Sequence, residues 1–319
     1  MTSNVLGFKQ DIMLQRYARL LGPSLGSFIS DDVFPSVDVP TKSGKFYSLD
    51  GGFSSASPGH DMVMADGQSS PLLISSSISK ATGWEVDLNG LGCQISKSSA
   101  EYAQGNGLNL RQAKVAILAR ETAINRERQA AAIAFSTAVF SGKTAALSGS
   151  DQWSNAASDP VSIGQTARDT VIKASGEAPD TVIIGYEVYK ALRQHPAIVE
   201  FASRTQSSVG IVSNNDIARA LDVENVYVGK AVANSNEEGL TASNAYIWGK
   251  FALFCKLRPS PAPMTPQSCL QRWRFQGSQD GAVRRWDPTP YVEQVDMLWN
   301  DQFAAPTTEL GYLYSTVVA

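Results

Sequence analysis

The chain has 319 residues, room for about two lobes of ordinary domain size. Of these, 43% are hydrophobic and only 18% charged, where soluble domains carry about 25% charge. With 27 Lys and Arg against 30 Asp and Glu, a net charge of −3, no bulk field grips nucleic acid through its phosphates.

So few charges leave the surface to Ser, Thr, Asn, Gln and backbone, which suits faces that end against neighbours. Cys93, Cys255 and Cys269 have neither zinc-site nor paired disulfide spacing and are expected to be buried free thiols of a reducing cytoplasm. The opening MTSNVLGFKQDIML lacks the basic and apolar regions of a signal peptide. No apolar run approaches the roughly 20 residues of a membrane span, so no membrane partner is expected.

From Ile12 to Ile29 the apolar residues Leu14, Tyr17, Leu20 and Leu21 fall at a loose helical spacing that Gly22-Pro23 interrupts. This predicts an arm and not a core element. Lys45 to Leu49 alternates as a short strand, and a Gly, Ser and Asp-rich stretch with turn signals at Asp50-Gly51 and Asp66-Gly67 follows. Alternation resumes from Trp84 to Ile95, so residues 45–96 read as one long projecting hairpin. From about Leu108 to Phe140 there is no Gly or Pro, and Ala, Gln, Arg and Glu abound. This predicts a solitary spine helix. Leu110, Ala113, Ile117, Ile124, Ala131 and Phe135 would form its apolar stripe, with Arg111, Arg120, Glu121, Arg126, Glu127 and Arg128 elsewhere.

Beyond the spine the pattern alternates. A helix capped by Asp159-Pro160, a strand from Thr181 to Ile184, helices at Glu187 to Arg193 and Asp216 to Leu221, and strands from Val226 to Val232 and Ala245 to Phe254 predict an α+β lobe. PSPAPMTP after Arg258 reads as a connection, followed by strands around an Arg-rich hairpin, QGSQDGAVRRW, and a last strand at Leu310 to Val318.

No catalytic constellation emerges. Ser141-Gly142-Lys143-Thr144 looks like the end of a phosphate-binding loop, but Thr137 stands where that motif needs Gly, and the run follows a helix instead of a strand. Helix termination by Gly142 is the better reading. His60 and His195 are the two histidines; His195, before Pro196, is expected to favour the negative end of a helix dipole, and no nucleophile elbow accompanies either. No catalytic, cofactor-binding or metal-binding residue is assigned. One charge asymmetry remains: Lys256, Arg258, Arg272, Arg274, Arg284 and Arg285 precede Asp287, Glu293, Asp296, Asp301 and Glu309. It reads either as pairs within the subunit or as complementary contact between subunits.

Several stretches resemble the major capsid proteins of tailed phages. These are DDVFPSVDVPTKSGKFYSLD, LNLRQAKVAILARETAINRERQAAAIAFS, SDQWSNAASDPVSIGQTARDTVI, APDTVIIGYEVYKALRQHPAIVEF, VYVGKAVANSNEEGLTASNAYIWGKFALF, RWRFQGSQDGAVRRW and LGYLYSTVV. They run in order from about Asp31 to the end. The resemblance implies the Hong Kong phage-type capsid fold, an α+β architecture with an N-terminal arm at 1–44, an extended loop hairpin at 45–96 and a peripheral domain with the spine at 97–145. An axial domain at 146–240 and later strands returning to the peripheral domain at 241–319 would complete it.

The resemblance further implies a shell of hexamers and pentamers in the virion, assembled in the host cytoplasm around double-stranded DNA touched weakly and non-specifically. A portal is an implied partner, with decoration proteins left open, and since little sequence precedes the arm, a separate scaffolding protein, or none, is expected. The expected contact residues are Lys45, Asp50, Asp66, Arg120, Glu121, Arg128, Arg284 and Arg285. Arm and hairpin are expected to fold onto neighbours. Some family members link subunits through a loop Lys, but residues 51–79 contain none and only Lys42, Lys45 and Lys80 flank them, so a non-covalent shell is expected. An encapsulin, the nanocompartment shell of the same fold, is the first rival, and a soluble α/β enzyme the remote one.

Overall fold

The computed structural model describes residues 9–10, 12–21, 28–49, 78–106, 108–205, 212–234, 243–259, 268–276 and 282–319. It opens on a two-residue strand β1 (Lys9–Gln10) and helix α1 (Ile12–Leu21). Leu14 and Ala18, one turn apart, are buried with Val115, Leu118, Ile95, Val283 and Val295. The expectation of an arm without core contacts is therefore corrected: α1 ends at Leu21, before Gly22-Pro23 can interrupt its stripe. A short helix α2 (Ser30–Val33) leads into strand β2 (Ser36–Val39), and Val33 and Phe34 are fully buried.

Strands β3 (Ser43–Leu49) and β4 (Ile78–Glu85) pair antiparallel, Lys45 opposite Gly83. The two sides of the expected hairpin thus meet, while Asp50, His60 and Asp66 lie outside the described residues. The return differs from the sequence reading, in which one strand ran from Trp84 to Ile95. β4 ends at Glu85, Val86 turns into a cluster with Val37, Val39 and Trp273, and a separate strand β5 (Asn89–Ser96) joins another sheet.

Helix α3 (Lys97–Gly105) precedes the spine, α4 (Leu110–Ala134), whose cap Asn109 accepts a hydrogen bond from Gln112 N through its side chain. Its 25 residues span about 38 Å at 1.5 Å each, shorter than expected. At Ser136 a new turn begins, the hydroxyl accepting from Val139 N and the carbonyl from Phe140 N. Gly142, at φ +75°, sits in that turn and does not terminate the helix. The buried face also differs: it comprises Val115, Leu118, Ala119, Thr122, Glu127, Ala130, Ala131 and Ala134, while Ile117 is 56% exposed and Ala113 is exposed. Glu127, expected among the solvated charges, is fully buried.

The second half begins with β6 (Thr144–Ala146) and α5 (Pro160–Ser175), capped by Asp159, whose carboxylate accepts from Val161 N and Ser162 N. There follow β7 (Thr181–Gly185), α6 (Tyr186–Gln194), α7 (Pro196–Thr205), which the sequence reading missed, and α8 (Asn214–Ala220). The expected strand from Val226 to Val232 is two, β8 (Asn225–Gly229) and β9 (Val232–Asn234). That from Ala245 to Phe254 is also two, β10 (Asn244–Tyr246) and β11 (Ala252–Cys255), because Gly249 at φ +49° makes a turn between them.

The last strands are β12 (Gln271–Phe275), β13 (Ala282–Thr289), β14 (Val292–Trp299), β15 (Asp301–Ala304) and β16 (Gly311–Ser315). The expected Arg-rich hairpin between the first two is not seen among the described residues, its turn at 277–281 lying outside them: β12 pairs with β15 and β2, and β13 forms its hairpin with β14.

A five-stranded mixed sheet, β6-β16-β11-β7-β8, forms the centre of the second half. Alternate residues of one strand enter different cores, since β7 sends Val182 and Ile184 to the face covered by α5 to α8 and Ile183 to the other. On that other face lie Ala130, Ala131, Ala134 and Phe135 of the spine, Val33 and Phe34, and Trp248. The Trp248 ring rests over Gly229, where a Cβ would come within 2.1 Å of Trp248 Cγ, so glycine is required by this close approach. The four-stranded sheet β1-β13-β14-β5 and the three-stranded sheet β15-β12-β2 flank the rest of the spine.

Candidate assembly surfaces

Ion pairs draw together segments far apart in sequence. The Arg111 guanidinium grips Glu293 through both carboxylate oxygens, Nε to Oε1 at 2.9 Å and Nη2 to Oε2 at 2.8 Å, with the Glu293 side chain 5% exposed. Arg126 Nη2 donates to Asp301 Oδ2 at 2.8 Å and to Asp31 Oδ1 at 3.3 Å, and Arg272 also bonds Asp31. Arm, spine, β12 and β15 meet at this cluster. Bidentate and charge-assisted geometry makes such bonds stronger than ordinary ones.

Several acidic residues of the C-terminal third have partners within the subunit. Asp287 pairs with Lys97, Glu293 with Arg111, Asp301 with Arg126, and Asp296 accepts from Trp286 Nε1 and Gln294 Nε2. These pairs are of the kind that the reading within the subunit expects. On the same pattern, a side-chain hydrogen bond from Arg274 holds the Asp38 carboxyl below its ordinary pKa, with the Arg274 charge assisting.

The expected contact residues do not converge on one site. Lys45 is exposed on β3, and Arg120 and Glu121 are exposed on the spine. Arg128 is exposed too, yet its Nη2 donates to Asn234 O at 2.6 Å, tying the spine to the β9–β10 hairpin. Arg285 Nε stands 3.6 Å from Glu293, and Arg284 faces Asp296 across the β13–β14 ladder.

What the sequence reading missed is a set of large apolar side chains left in the open. Tyr102 is 78% exposed, Leu108 67%, Ile117 56% and Tyr291 79%. Three of them flank α3: the Tyr291 carbonyl accepts from Lys97 N at its start, and Leu108 N donates to Ala103 O at its end, with Tyr102 on its last turn. Single exposed apolar residues are ordinary, whereas contiguous ones mark contact surfaces. Alternation of apolar and polar residues could have found Tyr291 only as a turn residue, and nothing in the local pattern separates Ile117 from buried Leu118.

The set-aside residues have structural employment. His195 is buried at the end of α6. Its Nδ1 accepts from Ala197 N at 3.2 Å, so the proton sits on Nε2, which faces Asn155 O and Ser158 Oγ, each at 3.0 Å. The ring therefore staples the 155–158 turn to α7, from its expected place at the C-terminal end of α6. Cys255 and Cys269 are buried and Cys93 is partly so; burial raises the Cys255 thiol well above its ordinary pKa. Lys143 and Thr144 stand at a turn entering β6, the reverse of a phosphate-binding loop. Among the described residues no cluster of His, Cys, Asp and Glu is placed to hold a metal ion, and no helix is long and apolar enough to cross a membrane.

No family model matches the chain. It is 28% identical over 236 residues to the major capsid protein of Pseudomonas phage JBD67, covering 72% of each chain. It is 27% identical over 170 residues to the major capsid protein of Burkholderia phage BcepMu, covering 51% of this chain and 53% of that one. Among solved structures, a phage-related protein from Bordetella bronchiseptica superposes with a TM-score of 0.73 over 98% of both chains, at 19% identity.

Proposed function

From the premise that this chain is a head shell protein of the phage major capsid type, with the Hong Kong phage-type capsid fold, we propose that its copies assemble into hexamers and pentamers of an icosahedral shell. The shell encloses double-stranded DNA, which it touches weakly because the chain carries a net charge of only −3. Its place is the virion, with assembly in the host cytoplasm, and its role is structural and not catalytic. A portal and separate scaffolding or decoration proteins are its further partners.

The observation that carries the self-assembly reading is the exposure of large apolar side chains, among them Tyr102, Leu108, Ile117 and Tyr291. Neighbouring subunits cover these side chains, and the exposed Lys45, Arg120 and Glu121 set register around them. Register is what rim charges contribute best. Arg128, Arg284 and Arg285 act through the elements they brace, and Asp50 and Asp66 are proposed as further contact residues. Residues 1–44 are the arm, 45–96 the extended loop, 97–145 the peripheral domain, 146–240 the axial domain, and 241–319 serve both domains. Electron microscopy of the expressed protein tests this: closed shells without a co-purifying enzyme support it, shells filled with a protein cargo favour a nanocompartment, and a compact monomer contradicts both.

A further inference from the structure

Glu127 is the one carboxylate of the spine that the protein encloses completely, at 0% exposure. Its Oε1 accepts from Ser30 N and its Oε2 from Trp248 Nε1, each at 2.6 Å. The two donors belong to the base of the arm and to the turn before β11, so three segments meet on one side chain. Among the described residues no Lys or Arg bonds it. We propose that Glu127 is a proton-operated latch that docks α2, the base of the N-terminal arm, onto the spine helix.

The charged groups on the surrounding elements are turned to other partners. On α2, Asp31 is held by Arg126 and Arg272, and the charge of Asp32, after burial, helps to raise the Tyr227 pKa. On the spine itself, Arg126 serves Asp301 and Arg128 serves Asn234 O. Beyond Trp248, Lys250 donates to Ala319 O and approaches Glu187. The thiols of Cys255 and Cys269 lie in the same apolar cluster as Trp248 and interact with each other. Glu127 is thus left to be balanced by hydrogen bonds alone.

A carboxylate so enclosed costs desolvation that its hydrogen-bond donors offset only in part. Burial is the largest influence on the group and raises its pKa above the ordinary carboxylate value, against the hydrogen bonds from the Ser30 backbone, the Trp248 ring, the Ser30 side chain and the Ile29 backbone, which lower it. When α2 lifts away, Glu127 meets water and returns toward that ordinary value. The sign follows by linkage: the docked state binds the proton more tightly, so docking is strongest below the ordinary carboxylate pKa and weakens as pH rises through the docked one. The device sits where the arm turns into β2, so it governs the direction in which the arm leaves the body. It holds whether or not the arm reaches a neighbour.

Hydrogen exchange of the full-length subunit, corrected for intrinsic rates, tests the latch across mildly acidic to neutral pH. The amides of 28–34 in the wild type are expected to lose protection several-fold as pH rises, while those of β7 hold theirs. Glu127→Gln, which cannot titrate, abolishes that fall. Trp248→Phe keeps an aromatic ring against Phe135 but removes one bond to the charged form, and moves the midpoint to higher pH. Should Glu127→Gln fail to fold, the wild-type slope and the Trp248→Phe midpoint decide. A flat wild-type profile, a fall that persists in Glu127→Gln, or an unmoved midpoint in Trp248→Phe overturns the proposal.

Discussion

The regions around the five-stranded and the four-stranded sheets are held together by different means. Around the five-stranded sheet, both faces are covered and Val182, Ile183, Ile184, Leu253 and Phe254 are wholly enclosed. Around the four-stranded sheet the buried set is thin, essentially Leu14, Ala18, Ile95, Val115, Leu118, Val283 and Val295, and ion pairs such as Arg111–Glu293 hold the margins. Apolar burial is non-directional and stabilises whatever closes it. The first region therefore rests on apolar burial from both sides, one of them supplied by the spine and α2, and the second leans more on paired charges.

The largest effect separating the two regions is expected from Phe254→Ala. Its ring is fully buried and meets Tyr314 edge-on, so its loss should cost about 3–5 kcal/mol, read as a lowered urea midpoint. Next comes Asp301→Ala. The Asp301 side chain is 0% exposed beside Arg126, and breaking such a pair costs about 3 kcal/mol, felt first as loss of protection in α2 and β15. Arg111→Met should follow at about 1.5–3 kcal/mol, since it leaves Glu293 enclosed without its bidentate partner. A smaller effect is expected at Asp38. Its carboxyl is held below the ordinary value chiefly by the Arg274 hydrogen bond, so its contribution is complete above the ordinary carboxylate pKa and lost as pH falls through the lowered one. Arg274→Gln should flatten that part of the acid denaturation profile.

Legibility from sequence divided along the same line. The elements around the five-stranded sheet announce themselves locally: Asp159 before Pro160 caps α5, and the run from Thr181 is a fully buried strand. A helix such as α7, with Pro196 at its first position, was lost because His195-Pro196 read as a stop. On the spine, period alone placed the stripe on Ile117 and Ile124, but Ala-rich faces carry little contrast, and the side that packs is chosen by α1, β5 and β14. Ile124 is only partly buried, so Ile124→Asp should destabilise less than a charge at Leu118. Glu127 looked like any charge in RERQ, because its partners lie 97 and 121 residues away. Residue spacing carries no information about contacts at that distance.

The account's central claim is that fold stability resides on the covered side of the spine and assembly on its open side. The adjacent pair Ile117 and Leu118, 56% and 6% exposed, tests it most directly, by urea denaturation of subunits and electron microscopy of the assembly reaction. Ile117→Asp should leave the denaturation midpoint within about 0.5 kcal/mol of wild type and yet yield no closed shells, while Leu118→Asp should prevent folding. Ile117→Asp shells of normal yield and size, or an Ile117→Asp subunit as unstable as Leu118→Asp, would contradict the claim.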